Sequence, residues 1–169
     1  LLRERAVYAH CLHLDEADRA LLKETGTAAA VCPTSNFFLG SGCFDFERAQ
    51  RAGFRHGLAS DVGGGTSLSP LRTMLAAYEA GRASFTGGGP AKVGVSLAPV
   101  RLWWLHTAGA AQALGLDGVV GNLAPGCEAD FVVLDPQATP LLARRSAQAE
   151  SLDELLFALI VLGDERAIE

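Results

Sequence analysis

Three consecutive strand–helix units occupy the first half of the sequence, and they constrain its fold more than any other feature. Short apolar runs at residues 6–10, 27–32 and 54–61 have the length and composition of buried strands. A helical pattern follows each run, over residues 14–26, 44–52 and 69–80. Because strands that alternate with helices form parallel sheets wrapped by helices, this order predicts an α/β fold.

The ends of the predicted helices are marked by residues with known capping preferences. Asp15 is expected to cap the first helix and Gly26 to end it, with Leu21 and Leu22 facing the core. Gly81 is expected to end the third helix.

A complete (β/α)8 barrel needs eight such units and about 250 residues. The chain has 169 residues, so we expect the last three strand–helix units of a TIM-like barrel. The sequence opens on Leu1-Leu-Arg-Glu-Arg5, with no initiator Met and no signal-like apolar segment, so we expect it to begin inside a longer protein.

The second half of the sequence has a different pattern. Residues 82–95 are rich in glycine and predict a surface loop, and residues 97–114 predict one long apolar helix. Beyond them, residues 119–123 and 129–134 have the composition of short strands.

This change predicts two structural units. Residues 1–116 are expected to form the barrel portion, and residues 117–169 part of a small β-rich flanking domain with a terminal helix. The terminal helix is predicted over residues 155–162, because Ser151-Leu-Asp-Glu154 has the pattern of a capping box ahead of it.

Composition excludes several classes of function. The chain has 14 basic and 19 acidic residues, a net charge of −5, and its only lysines are Lys23 and Lys92, so we expect no nucleic-acid partner. Its longest apolar run is far shorter than the roughly 20 residues that cross a membrane, so we expect no membrane association. The four cysteines form no C-x-x-C pair, which argues against disulfides and against a thiolate metal site. We therefore expect the protein to be located in the reducing cytoplasm.

Asp61 is the first candidate for chemistry. It follows an apolar strand and precedes Gly63-Gly-Gly65, where missing side chains let a ligand approach the backbone closely. A carboxylate there can bind a cation, but it can equally cap the turn by accepting the amide hydrogen of Gly64 or Gly65. The loop has no Lys or Arg, which argues against a phosphate site.

His10 is the second candidate, because it ends the first predicted strand as Asp61 ends the third. A neutral imidazole there can bind a metal or hold a hydroxide, although a lone strand-end histidine is more often a hydrogen-bonded core residue. His13, His56 and His106 are expected to be structural. No H-x-H or H-x-x-x-H pair is present, so these residues cannot by themselves complete a closed zinc site.

The segment Cys32-Pro-Thr-Ser-Asn36 follows the second predicted strand. Its hydroxyl and thiol groups have no histidine nearby in the sequence to activate them, so we expect it to shape a loop. The paired-cysteine pattern of cytidine-type zinc deaminases is absent, which excludes that fold.

Four motifs together resemble the guanine deaminases of the metal-dependent amidohydrolase superfamily. They are Ala9-His-Cys-Leu-His-Leu14, Cys32-Pro-Thr-Ser-Asn36 with Leu39-Gly-Ser-Gly42, Ala59-Ser-Asp-Val-Gly-Gly-Gly-Thr-Ser67, and residues 120–134. The last is common to many amidohydrolases, whereas the Asp-Val-Gly-Gly-Gly run with the Leu-Gly-Ser-Gly loop favours the guanine deaminases. The resemblance implies strands 6–8 of the amidohydrolase barrel and part of its small β-sandwich domain.

The resemblance also implies a reaction, in which a zinc-activated water deaminates guanine to xanthine and ammonia. It makes Asp61 a zinc ligand and proton acceptor, and it makes His10 a catalytic residue that positions the hydroxide. The family's H-x-H pair, a further zinc-binding His, its catalytic Glu and its purine-binding Arg have no counterpart in these residues, so the chain alone is expected to be inactive.

Two alternatives remain open at this point. One is an amidohydrolase acting on another heterocycle, as an aminohydrolase or a chlorohydrolase. The other is a non-catalytic barrel remnant in which Asp61 only caps a turn. A homodimer is compatible with the sequence, which does not determine the oligomeric state.

Overall fold

A three-stranded parallel sheet organises the computed structural model, which describes residues 1–83 and 94–169. Its strands are β1 (Val7–Ala9), β2 (Ala28–Val31) and β3 (His56–Leu58), in that spatial order. Both pairings are parallel, with Tyr8 opposite Ala29 and Ala30 opposite Gly57. The three predicted strands and their parallel arrangement are therefore confirmed.

Helices follow each strand and continue to the end of the chain. They are α1 (Glu16–Thr25), α2 (Pro33–Phe38), α3 (Phe46–Ala52), α4 (Pro70–Ala83), α5 (Pro99–His106), α6 (Ala108–Leu114), α7 (Pro140–Ser146) and α8 (Leu152–Leu162), with a 3-10 turn at Glu165–Ala167. Helix α6 packs against β2 and β3, and α4, α5 and α8 pack against one another. The fully buried side chains of Val31, Met74, Leu102, Leu105 and Ile160 form the centre of this core.

The ends of α1 follow from its sequence. The Asp15 carboxylate accepts the backbone N–H of Asp18 at 2.8 Å, and Asp18 in turn accepts the N–H of Asp15 at 3.1 Å, which closes a capping box. Gly26 ends the helix in the left-handed conformation, at φ 69°. Leu22 is buried as predicted, but the prediction for Leu21 was wrong, because its side chain remains 41% exposed.

Three local predictions need correction. Residues 33–38 form α2 rather than a loop, because Pro33 occupies the first turn, where its fixed φ and missing N–H favour helix initiation. Helix α4 continues through Gly81, whose missing side chain admits the Val95 carbonyl oxygen, 2.9 Å from where a Cβ would lie. The segment 97–114 is two helices, because the backbone of Thr107 leaves the helical region at ψ −101°.

Residues 117–169 contain less β structure than the sequence predicts. Within the described part of the chain, segments 119–123 and 129–134 form turns and irregular backbone, and Leu134 makes a single antiparallel bridge with Ile168. A strand needs a neighbour to accept and donate its backbone hydrogen bonds. The described residues supply only the short terminal segment around Ile168, and Phe131 and Val132 remain 68% and 64% exposed. The division into units at 116/117 stays a prediction.

Helix α8 forms where the sequence predicts an apolar terminal helix. The Ser151 side chain accepts the Glu154 N–H at 3.2 Å and caps its first turn. The helix has 11 residues. Across the ranges 1–83 and 94–169, no helix combines the length and the apolar character that crossing a membrane requires. The predicted loop at 82–95 lies largely in residues 84–93, outside the described residues.

His56 lies at the start of β3, inside an aromatic cluster. It is 7% exposed, and its ring centroid is 5.7 Å from that of Phe54 and 5.8 Å from that of Phe44. Burial lowers the pKa of His56 because it penalises the charged imidazolium, and the nearby Arg101 adds to this, while a hydrogen bond to the Phe54 carbonyl opposes it. His56 is therefore a structural residue, as predicted.

This burial predicts a pH-dependent loss of stability. As the pH falls through the unfolded-state value of about 6.5, the unfolded chain binds a proton that the folded His56 refuses, so the unfolding free energy drops below that pH. His56→Leu should make the loss between about pH 7 and 5 smaller in urea unfolding of the full-length protein. Parallel curves for wild type and His56→Leu would contradict the assignment.

Candidate metal centre

Polar side chains from all three strand ends meet at one edge of the sheet. His10 directly follows β1, Cys32 directly follows β2, and Asp61 lies three residues beyond β3. One ligand atom from each, an imidazole nitrogen, a thiol sulfur and a carboxylate oxygen, lies within 4.8 Å of the others. Because the strands are parallel, their carboxyl ends share this edge, so a separation of 51 residues between His10 and Asp61 in sequence becomes a contact in space.

The two predicted site residues face each other. His10 Nε2 lies 3.7 Å from Asp61 Oδ2, and each side chain is 39% exposed. This distance is too long for a direct hydrogen bond. Zinc takes imidazole nitrogen and carboxylate oxygen as donors at about 2.0–2.2 Å, so one ion with its bound water can span the gap between these two atoms. The donor types and their spacing fit a zinc site.

The backbone is strained where these side chains leave it. His10 has φ 66°, Cys11 has φ 53° and Asp61 has φ 49°, all in the left-handed region that non-glycine residues rarely adopt. Such strain costs about 1–3 kcal/mol per residue and concentrates at functional sites, where surrounding contacts enforce it. His10 and Asp61, which both have this conformation, are the two residues whose side chains face each other.

Backbone carbonyl groups, and not the Asp61 carboxylate, accept the amide hydrogen bonds of the turn after β3. Gly65 N–H donates to the backbone carbonyl of Asp61, and Gly63 N–H donates to the Gly65 carbonyl at 3.2 Å. Within the described ranges, the Asp61 carboxylate accepts no amide hydrogen bond and is paired only with His10. The reading in which the carboxylate caps this turn was therefore wrong, and its oxygens remain available to a ligand.

Two glycines of the loop lie in close packing, and at Gly65 the packing excludes any side chain. A Cβ on Gly64 would lie 3.0 Å from both Asp61 Oδ2 and Ser35 Oγ. A Cβ on Gly65 would overlap the Ser60 carbonyl oxygen and lie 2.9 Å from Thr34 Oγ1. Since backbone atoms cannot move aside easily, any side chain at Gly65 displaces the segment that carries Asp61.

Gly65→Ala should therefore weaken both the fold and the site. Overpacking of this kind lowers the free energy of unfolding by about 1–3 kcal/mol, and the displaced carboxylate should lower zinc affinity by about 10–100-fold. Gly118→Ala is the control, because a side chain at its φ of 84° strains the backbone and so lowers stability, while the Cβ itself meets open space. We expect that variant to lose stability and keep its zinc affinity, as measured by thermal unfolding and zinc titration. Equal zinc affinity in both variants would contradict the packing argument.

Asn36 is a site residue that sequence reasoning missed. Its side chain is 2% exposed, and its Oδ1 lies 2.8 Å from His10 Nδ1, on the side of the ring opposite Asp61. The sequence signal was available, because Thr34, Ser35 and Asn36 are consecutive polar residues directly after a buried strand. All three are buried at the start of α2.

Cys32 was also expected only to shape a loop. It is 2% exposed, and burial raises the pKa of its thiol because it disfavours the thiolate, with the Asp61 carboxylate adding to the effect. A hydrogen bond involving the His10 backbone opposes this rise. Without a metal, Cys32 is therefore a protonated thiol, which is a poor ligand and a poor nucleophile.

Comparisons with known proteins give a consistent result. The model of the amidohydrolase family matches residues 1–163. Guanine deaminase of Escherichia coli is 40% identical over 168 residues, which cover 99% of this chain and 36% of the relative. A probable guanine deaminase of Deinococcus radiodurans is 41% identical over 169 residues, which cover 100% of this chain and 37% of the relative.

Solved structures agree with the sequence matches. The E. coli guanine deaminase structure superimposes with a TM-score of 0.90 over 99% of this chain and 37% of that one. Guanine deaminase from Bradyrhizobium japonicum superimposes with a TM-score of 0.89 at 31% identity, over 100% of this chain and 41% of that one. The chain thus spans little more than a third of the length of these relatives, and its three parallel strands match part of their barrel. It belongs to the amidohydrolase family.

Proposed function

We propose that this chain carries part of the active site of a guanine deaminase, which hydrolyses guanine to xanthine and ammonia. The observation that carries the proposal is the pairing of His10 with Asp61 at the carboxyl edge of the sheet, 3.7 Å apart. This pairing occurs in a chain that is 40% identical to E. coli guanine deaminase along 99% of its length.

Zinc is the metal that we propose for this site, with Asp61 as a ligand. When bound, zinc lowers the pKa of its water from 15.7 to about 7 and so supplies a nucleophile at neutral pH. The fit rests on the Asp61 carboxylate, which has no amide partner among the described residues, and on the nitrogen that faces it. Cys32 lies within the same cluster but as a buried thiol.

The two residues have different roles in the reaction, since Asp61 moves the proton and His10 orients the water. The attacking water adds through its oxygen to the ring carbon that carries the amino group, and Asp61 Oδ2 accepts the proton that it releases. Asp61 then returns that proton to the amino nitrogen, the carbon–nitrogen bond breaks, and ammonia leaves. His10 accepts a hydrogen bond from the water at Nε2 and so orients its lone pair towards the ring.

The remaining ligands and the purine-binding groups belong to parts of the protein beyond these residues. Strand β1 supports this view, because parallel strands are normally covered on both faces, yet Val7 and Tyr8 are 37% and 41% exposed. We propose that further barrel strands pair with this edge, and that residues 117–169 belong to the small flanking domain. The 169-residue chain alone should then show no turnover.

A substrate panel tests the proposal directly. The full-length protein, loaded with zinc, is assayed with guanine, adenine, cytosine and a chlorinated triazine. We expect guanine to be converted with the highest kcat/KM, giving one xanthine and one ammonia per turnover. Faster dechlorination of the triazine, or faster deamination of adenine or cytosine, would instead identify an amidohydrolase for another heterocycle. No turnover of any of them by the zinc-loaded protein would overturn the proposal.

A further inference from the structure

The hydrogen bond between His10 and Asn36 determines which nitrogen of the imidazole carries a proton. A neutral imidazole has one N–H donor and one acceptor nitrogen. Asn36 Oδ1, which can only accept, lies 2.8 Å from Nδ1. In a neutral His10 this contact favours the proton on Nδ1, which leaves the lone pair of Nε2 facing Asp61.

The choice of tautomer matters for the opposite carboxylate. With a proton on Nε2, the imidazole would turn an N–H towards Asp61 Oδ2, 3.7 Å away, and would have no lone pair there to accept a hydrogen bond from the water. With the proton on Nδ1, both Nε2 and Oδ2 keep free lone pairs on the same side of the site. Asn36 thus decides whether Nε2 presents a hydrogen or a lone pair to the site.

Asn36 is held firmly enough to enforce this choice. It lies in α2, which starts directly after β2, and Thr34 Oγ1 ties that helix to the Ser60 carbonyl at 3.2 Å. Both backbone polar groups of Asn36 are hydrogen-bonded. Its N–H donates to the Cys32 carbonyl, and its carbonyl accepts the backbone N–H of Ser41, each at 2.9 Å. The side chain is 2% exposed, so water does not compete for the Oδ1 position.

A second observation points to the same role. Within the described residues, the Nδ2 group of Asn36 is buried without a hydrogen-bond partner. Leaving a buried donor unpaired costs about 1–3 kcal/mol. Of the two polar atoms of this amide, only the oxygen has a partner among the described residues, and that partner is His10.

We propose that Asn36 is a positioning residue that holds His10 in the Nδ1–H tautomer, so that Nε2 accepts a hydrogen bond from the attacking water; the catalytic part of this role rests on the proposed function. The pair works as the histidine–acceptor pairs of metal sites do, in which the second ring nitrogen is fixed by a neighbouring oxygen.

The tautomer can be observed without turnover or metal. Full-length protein with ring-15N histidine is stripped of metal, and long-range 1H–15N spectra are recorded at alkaline pH, so that the neutral form of the ring is compared. His10→Gln identifies the His10 signals. We expect the proton on Nδ1 in the wild type, a shift towards Nε2–H in Asn36→Leu, and Nδ1–H again in Asn36→Asp, which restores an oxygen acceptor.

Ser35→Ala is the matched control, because Ser35 is fully buried beside Asn36 and its hydroxyl also has no partner among the described residues. It should leave the His10 tautomer unchanged. In activity, Asn36→Leu should lower kcat for guanine by about 10–100-fold with little change in KM, and Asn36→Asp should recover part of that loss.

A wild-type His10 protonated on Nε2 would overturn the inference, and this result is read on the wild-type protein, with His10→Gln used only to assign the signals. So would an unchanged tautomer in Asn36→Leu, or an equal change in Ser35→Ala. The outcome is independent of the substrate: a protein that shows the Nδ1–H tautomer but does not deaminate guanine would overturn the proposed function and keep the positioning role.

Discussion

Replacing Asp61 with Asn in the full-length protein is expected to remove both the zinc and the guanine deaminase activity. The change keeps the size of the side chain but removes the charge that the proposed metal site needs. Mutation of a residue that only orients a metal ligand usually lowers metal affinity or activity by about 10–100-fold. Loss of the ligand itself should therefore leave at most about 1% of the parent rate. Zinc per chain and the rate of xanthine formation are measured on the same preparation.

Asp117→Asn is the control for this change, because it removes the same charge from an exposed carboxylate that does not belong to the cluster of His10, Cys32 and Asp61. It should leave the zinc content and the rate unchanged. If Asp61→Asn also kept its zinc and its rate, the non-catalytic reading of this barrel edge would be favoured instead.

Replacing His10 with Gln is expected to separate catalysis from metal binding. We assign His10 to the water rather than to the ion, so the variant should keep about one zinc per chain. Its kcat should nevertheless fall by about 10²–10³-fold, the usual cost of removing one preorganised hydrogen-bonding group from an active site. KM for guanine should change much less than kcat.

His13→Gln provides the comparison, because His13 is exposed and lies only three residues from His10. It should behave as wild type in both zinc content and kcat. Loss of zinc from His10→Gln to the same extent as from Asp61→Asn would show that His10 binds the ion, and would contradict the role assigned here.

The parts of the fold that the sequence predicts are those governed by local rules. Strands β1–β3 are short apolar runs, and α1 carries its own capping box and a C-terminal glycine, so each is readable within a few residues. The errors arise where contacts between distant segments decide the outcome. Gly81 is the clearest case, since it looks like a helix stop but in fact makes room for the carbonyl of Val95.

The same distinction applies to the site. Parallel strands bring their carboxyl ends together, so the meeting of His10 and Asp61 could be predicted from their places in the pattern. The role of Asn36 could not be predicted, because it depends on the direction of α2 and on which nitrogen of the imidazole the Asn36 side chain reaches. The choice between turn cap and free carboxylate at Asp61 likewise needed the backbone geometry of the glycine loop.

The segments at 119–134 show a third kind of limit. Their composition is typical of strands, yet a strand forms only against a partner, and the described residues offer Leu134 a single bridge to Ile168. Strand propensity therefore shows only that a segment can pair. Whether it forms a strand depends on a partner segment, which the local sequence does not reveal.

Anomalous diffraction at the zinc edge, from crystals of the zinc-loaded full-length protein, tests the central claim most directly. We predict one anomalous peak at the carboxyl edge of the sheet, about 2.0–2.2 Å from an Asp61 carboxylate oxygen, with His10 Nε2 facing the same ion. A peak elsewhere in the protein, with Asp61 bonded only to protein groups, would contradict the account.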